Sequence, residues 1–220
     1  MNRINLDAAA LEPKAGRTSK GDQPKWQMRG NWYKADHMGY EALAEVLVSG
    51  LLKKSNVSDF VDYQLVQIHD HGKERIGCAS KNFRGKDEML IPFQRLHRAY
   101  QGGRGLSEAI ASMPDAAARI RYTVDFIEQT TGLTGVGPYL TTLLEIDAFF
   151  LNEDRHTNNL AVIRDERSGK FRLCPIFDNG LALLSDLNDY PLDADIYSCI
   201  DRVQAKPFSL DFDEQVEAAN

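Results

Sequence analysis

The chain has 220 residues, 43% hydrophobic and 26% charged, with a formal net charge of −6. This is the composition of a globular protein with room for one large domain or two small lobes sharing a cleft. The acidic balance argues against direct nucleic-acid binding, which asks for a basic stripe. No run reaches the roughly 18 apolar residues of a membrane span; the longest candidate, residues 140–151, carries Glu145 and Asp147. Residues 1–20 lack the apolar stretch of a secretory signal. The three cysteines, Cys78, Cys174 and Cys199, contain no CxxC pair. A cytoplasmic protein with reduced, buried thiols is expected.

Residues 1–15 mix small and polar types without a period and read as a mobile arm. Trp26-Gln27-Met28, a turn at Arg29-Gly30-Asn31 and Trp32-Tyr33-Lys34 read as a hairpin. Residues 40–52 have helical spacing, with Leu43, Val46, Leu47 and Leu51 as the expected buried face. Residues 60–68 read as a strand, His69-Asp70-His71-Gly72 as a turn, and residues 75–79 as a further strand. The polar run Arg84-Gly85-Lys86-Asp87 marks a boundary near residue 83. Beyond it, residues 115–131 and 138–151 are helical by period. Residues 160–163 and 171–173 read as short strands around the turn 165–169, and residues 193–203 as a final helix. The expected architecture is α+β and bilobal. A β-rich lobe with one helix spans residues 16–83, and a mostly helical lobe spans 84–220.

The densest polar cluster is Asn152-Glu153-Asp154-Arg155-His156-Thr157-Asn158-Asn159, between an apolar helix and an apolar strand. Asp178 follows within Phe177-Asp178-Asn179-Gly180, just past the second short strand. Phosphoryl transfer from ATP needs a carboxylate to orient and deprotonate the acceptor hydroxyl, and oxygen ligands for Mg2+ on the phosphates. An Asp and an Asn five positions apart on one tight loop supply the base, Asp154, and one metal ligand, Asn159. Asp178, at the end of the adjoining hairpin, supplies the second metal ligand. This order matches the catalytic core of the protein-kinase superfamily, with Asp-Arg-His in place of His-Arg-Asp. His156, between the Asp and the Asn, is expected to hold the loop. Phe149 and Phe150, just before the loop, are expected to anchor it to the helical core.

A kinase also needs a strand lysine on the α and β phosphates and a helix glutamate to hold that lysine. Lys34 ends the hairpin strand. Glu41 and Glu45 sit one turn apart on the following helix, and both are candidates, with Glu41 favoured.

With these residues in place, the chain resembles HipA-like serine/threonine kinases over residues 16–184. Gly21 to Lys25, Trp32 to Lys34, Tyr40-Glu41 and Ala44-Glu45 resemble their amino lobe. Residues 152–159 resemble their catalytic loop, and Phe177-Asp178 their metal aspartate. The resemblance implies ATP and Mg2+ as cofactors. It implies a protein substrate with a Ser/Thr acceptor, and an antitoxin or regulatory partner, as in toxin-type members. It places residues 78–83 at the hinge, with Ala79 and Lys81 beside adenine. Gly16 to Gly21 sits where a phosphate-covering loop would lie, with Thr18 or Ser19 as an autophosphorylation site and Gly21 beside the nucleotide; a flexible arm is the alternative reading. The chain has no room for the family's extra N-terminal subdomain. Only 42 residues follow Asp178, so a short helical lobe is expected. Two other readings stay open: a lipid or small-molecule kinase, and a non-catalytic pseudokinase scaffold.

Overall fold

The structure is a computed structural model describing residues 1–11 and 23–220. These residues divide into two compact units. The first comprises Met1–Phe83 and Phe177–Arg202, the second Arg84–Ile176 and Val203–Asn220.

The first unit is built on a six-stranded sheet. Its strands are β1 (Asn2–Asn5), β2 (Ala10–Leu11), β3 (Lys25–Met28), β4 (Asn31–Ala35), β5 (Tyr63–Asp70) and β6 (Lys73–Lys81), in the spatial order β1-β5-β6-β4-β3-β2. The β3–β4 turn has positive φ at Arg29 and Gly30, and the β5–β6 turn at His71 and Gly72. This is the twist a two-residue hairpin requires. His69 and Asp70 therefore belong to β5 rather than to the turn. The amino terminus is not an arm: β1 runs parallel to β5, pairing Ile4 with Ile68. Leu6 is fully buried against Trp26, Tyr33, Val66 and Ile68. Two apolar side chains two positions apart are enough to attach so short a segment to a sheet edge.

Helix α1 (Glu41–Leu52) packs on the opposite face, over Val61, Tyr63 and Cys78. Of its expected face only Val46 packs, partly buried, against that cluster. Leu43, Leu47 and Leu51 are 40%, 45% and 53% exposed, whereas Glu41, Ala42, Glu45, Val48, Ser49 and Leu52 are buried. The reason lies in the polar partners that await the two glutamates, described below. Residues 177–202, expected in the helical lobe, belong to this unit. The Tyr40 hydroxyl donates to the carbonyls of Leu183 (3.0 Å) and Leu184 (3.1 Å). Gly39 forms a bridge with Asp186, and a Cβ there would lie 1.9 Å from the Ser185 carbonyl oxygen.

The second unit contains strand β7 (Glu88–Pro92) and helices α2 (Phe93–Tyr100), α3 (Leu106–Ile110), α4 (Ala116–Thr131) and α5 (Val136–Phe150). Strands β8 (Ala161–Asp165) and β9 (Phe171–Leu173) complete a sheet of order β7-β8-β9. The last expected helix shrinks to α6 (Ile196–Ile200) in the first unit, and α7 (Phe212–Ala219) closes the second. β7, α2, α3 and α7 are not apparent in the sequence. Asp115 caps α4 by accepting from the Ala118 amide at 2.7 Å, and Gly132, at φ 73°, ends it. Leu151 ends α5 at φ 54°, a left-handed conformation that costs a branched residue about 1–3 kcal/mol. The turn delivers the chain into residues 152–159. Among the described residues no helix is long and apolar enough to cross a membrane.

Asp36 yields a test of the first unit. Its Oδ1 accepts from the Ala42 amide at 2.7 Å. Burial, with a smaller push from Glu41, raises its carboxyl to about 6. Folding thus favours the protonated form, so this contribution to stability is present below pH 3.8 and is lost as pH rises through about 6. The full effect would be about 3 kcal/mol, which half-burial reduces to about 1–2 kcal/mol. Asp36→Asn keeps the acceptor and removes the charge. It is expected to raise Tm by about 2–8 °C at pH 7 and to leave it unchanged below pH 4, as read by thermal denaturation at both pH values.

Candidate functional site

In the first unit, the alternation of β4 sends Tyr33 into one core cluster and Lys34 to the α1 side of the sheet. Lys34 is buried there between two carboxylates. Its Nζ lies 2.5 Å from Glu45 Oε1 and 2.6 Å from Asp178 Oδ1. The ammonium also stands 5.2 Å from the centre of the Tyr63 ring. Burial works against the charge, but Asp178 and Glu45 outweigh it and raise the Lys34 pKa well above its usual value. Burial, with Glu45 beside it, likewise pushes the Tyr63 hydroxyl well up. Lys34 is therefore a fixed cation, not a proton carrier. Glu45 has no exposed surface, and its second oxygen accepts from the Asn179 amide at 2.9 Å. One carboxylate thus holds both the lysine and the backbone beside Asp178. Asp178 itself sits at φ 62°, a conformation that Asp tolerates better than most residues. Its other oxygen lies 3.6 Å from Lys25 Nζ.

Glu41, the favoured partner, does not reach the lysine. Its carboxylate accepts from the amides of His37 (3.1 Å), Met38 (2.7 Å) and Gly39 (3.0 Å). Three amides at the amino end of a helix are a strong anion receptor, and they commit Glu41 to the turn before α1. Ala79 lies inside β6, paired with Tyr33, and Lys81 is exposed at that strand's end. Thr18, Ser19 and Gly21 lie outside the described residues.

The second unit carries the loop 152–159. It is built around Arg155, which is fully buried and donates through Nε to Asp147 Oδ2 (2.8 Å) and through Nη2 to Asp147 Oδ1 (3.0 Å). The Asn152 amide donates to the same carboxylate at 2.7 Å. Burial raises the Asp147 carboxyl above its usual value, and Arg155 and Asn152 offset that rise only in part. Around this pair the loop coils tightly. The amides of His156 and Asn159 donate to the carbonyls of Asp154 and His156, each at 2.8 Å. Asn159 Nδ2 donates to the Asp154 carbonyl at 2.9 Å. From the α2 side, Thr157 Oγ1 donates to Gln94 Oε1 at 3.0 Å. His156 Nε2 stands 3.8 Å from Asp154 Oδ2. Asp154 and Asn159 are thus fixed on one loop. Phe150 is buried behind it, whereas Phe149 is 79% exposed and meets the Phe150 ring edge-on.

A comparison with family models finds no match, and neither does a comparison with curated proteins. Among solved structures, the crystal structure of a Helicobacter pylori proinflammatory kinase, CtkA, is similar at a TM-score of 0.63 and 18% identity. The match covers 94% of this chain and 71% of that one. The chain has a bilobal, kinase-like fold.

A hard cation takes oxygen ligands, and each unit has some of its own. Asp178 offers carboxylate oxygens. Asn159 spends its amide nitrogen on the Asp154 carbonyl and keeps its amide oxygen as the donor atom. The sequence reading missed Asp147, Arg155 and Lys25. A trace of the first was present, since Asp147 is one of two acidic residues, with Glu145, inside the largely apolar stretch Leu143 to Phe150; such a residue is rarely buried without a partner.

Removing one member of a buried pair strands the other. Asp147→Asn is expected to destabilise the protein by about 3–5 kcal/mol, or about 6–20 °C in Tm. In a double-mutant cycle Asp147→Leu/Arg155→Leu should recover much of that loss. Additive losses would show that the two side chains do not act as a pair.

Proposed function

We propose that this chain is an ATP-dependent serine/threonine protein kinase of the HipA-like kind, working in the cytoplasm. The observation that carries the reading is the buried Lys34 held by Glu45 and Asp178. A buried, permanently charged lysine on a sheet, paired to a helix glutamate, is the device by which kinases hold ATP phosphates. The similarity to a structure named as a kinase supports the same reading.

In this reading Lys34 contacts the α and β phosphates, and Glu45 keeps its ammonium in place. Asp178 and Asn159 are the Mg2+ ligands. Mg2+, when bound, neutralises charge on the phosphates. Asp154 accepts the proton of the acceptor hydroxyl as the oxygen attacks the γ phosphorus, the bond to ADP breaks and the phosphoryl group passes to the acceptor. Arg155 and Asp147 keep the Asp154 loop from relaxing, and His156 holds Asp154 from beside it. Ala79 and Lys81 are assigned to the adenine side, and Thr18, Ser19 and Gly21 to the phosphate-covering segment. An antitoxin-like or regulatory protein is the expected partner.

The test is transfer of labelled phosphate from ATP in the presence of magnesium, followed by mass spectrometry of the modified residues. Asp154→Ala is expected to slow transfer at least about 100-fold, the scale of losing a general base. Near-normal turnover would remove Asp154 from that role, and no transfer by the unaltered protein to itself or to any protein would favour a scaffold. Asp178→Asn should abolish the rise in Tm that magnesium and ATP give the unaltered protein. An equal rise in both would take Asp178 out of metal binding.

A further inference from the structure

Within the first unit, the backbone that follows Asp178 is tied to the start of α1 at two places. The first is Glu45, whose carboxylate accepts from the Asn179 amide at 2.9 Å. The second is Tyr40, whose hydroxyl lies 3.0 Å from the Leu183 carbonyl and 3.1 Å from that of Leu184. Between the two places the chain is tied to itself. The Ala182 amide donates to the Asn179 carbonyl and the Ser185 amide to that of Ala182, each at 3.2 Å. Ser185 Oγ donates to the Gly180 carbonyl at 2.5 Å. A movement at residues 183–185 is therefore passed back to Asn179 and Asp178.

Leu183 and Leu184 both have φ 58°. Two neighbouring leucines in the left-handed region are unusual, because Cβ crowds the following carbonyl and leucine has no polar atom to offset it. Successive left-handed residues also turn their carbonyls to one side, as a helix does, so the same conformation brings both acceptors to one hydroxyl. Tyr40 is the N-cap residue of α1, yet its side chain caps no amide; Glu41 meets the amides of that turn instead. The hydroxyl is thus committed to the strained turn, with a single proton to share between the two carbonyls. Backbone contacts close the same seam: the Tyr40 amide donates to the Ser185 carbonyl at 3.2 Å and the Leu187 amide to the Met38 carbonyl at 3.1 Å. Relaxation of either leucine to a right-handed or extended conformation would swing its carbonyl off the hydroxyl.

We propose that Tyr40 is a positioning residue for Asp178: its hydroxyl latches the Leu183–Leu184 turn in the left-handed conformation and so keeps Asp178 where it meets Lys34 and a metal ion. Without the hydroxyl the turn relaxes, and the Asp178 carboxylate loses its fixed place while Glu45 still holds Lys34. The metal-binding half of this inference rests on the kinase reading, but the latch itself can be tested without nucleotide.

The experiment compares the full chain with Tyr40→Phe, which keeps the ring and removes only the hydroxyl. Amide hydrogen exchange is read by NMR without nucleotide, and ATP binding is read by calorimetry with magnesium and, separately, with EDTA. Protection of the Asn179 amide is expected to fall about fivefold, the scale of one net hydrogen bond, while the amides of the β5–β6 ladder stay as protected as before. Affinity for ATP with magnesium should fall by a similar factor. Affinity for ATP with EDTA should not change, because Lys34 and Glu45 remain in place. Unchanged protection of Asn179 overturns the latch. Reduced protection with unchanged affinity for magnesium and ATP overturns the positioning role and leaves a merely structural bond. An equal loss of affinity with magnesium and with EDTA overturns it too, since that is a general loosening of the unit and not a displaced metal ligand. Reduced protection in a chain that binds no ATP at all supports the latch and overturns the kinase reading.

Discussion

The first unit is organised around the contact of Lys34 with Glu45 and Asp178. An ammonium taken out of water without partners would cost several kcal/mol and would give up its proton instead. With two carboxylates within 2.6 Å it remains charged. That contact draws together three stretches far apart in the chain: the end of a hairpin strand, the middle of a helix, and the residues after β9. It accounts for the return of residues 177–202 to the amino-terminal unit, because Glu45 holds the Asn179 amide as well as the lysine.

The second unit solves a different problem with a similar device. The loop 152–159 has few apolar side chains to anchor it. Its support is instead polar and buried: Arg155 grips Asp147 with two hydrogen bonds, and Asn152 adds a third. A fully hydrogen-bonded buried network is stiff, because every alternative arrangement leaves a donor or acceptor open. The strained Leu151 at the loop's entrance is tolerated for the same reason. Each set of polar groups is thus held by neighbours within its own unit.

How much of this is readable in the sequence depends on the range of the forces involved. The hairpin at Arg29-Gly30, the helices ending at Thr131 and Phe150, and the short strands β8 and β9 follow from local turn chemistry and period. Spacing singles out Lys34, Asp154, Asn159 and Asp178 as candidates. β1 is not readable, because four residues carry no period and the strand exists only through its pairing with β5, some sixty residues away. β7, α2 and α3 are short and interrupted by polar residues. The choice between Glu41 and Glu45 is not readable either. Both lie on one helix, and three loop amides that only the folded turn brings together decide it.

Helix α1 shows what happens when hydrophobic pattern and polar chemistry disagree. Its leucines at 43, 47 and 51 form a regular apolar stripe, and on hydrophobic grounds alone that stripe would face the sheet. The helix is rotated so that each remains about half exposed. Full burial of a leucine contributes about 1.5–3 kcal/mol, so three half-exposed leucines forgo about 2–5 kcal/mol. The opposite rotation would bury the stripe but take Glu45 from Lys34 and Glu41 from its three amides. It would leave a buried ammonium short of a partner and three amides open, at about 3–5 kcal/mol for the ion pair alone and about 1–3 kcal/mol for each unmet amide. The polar losses are the larger, so the helix turns its glutamates inward.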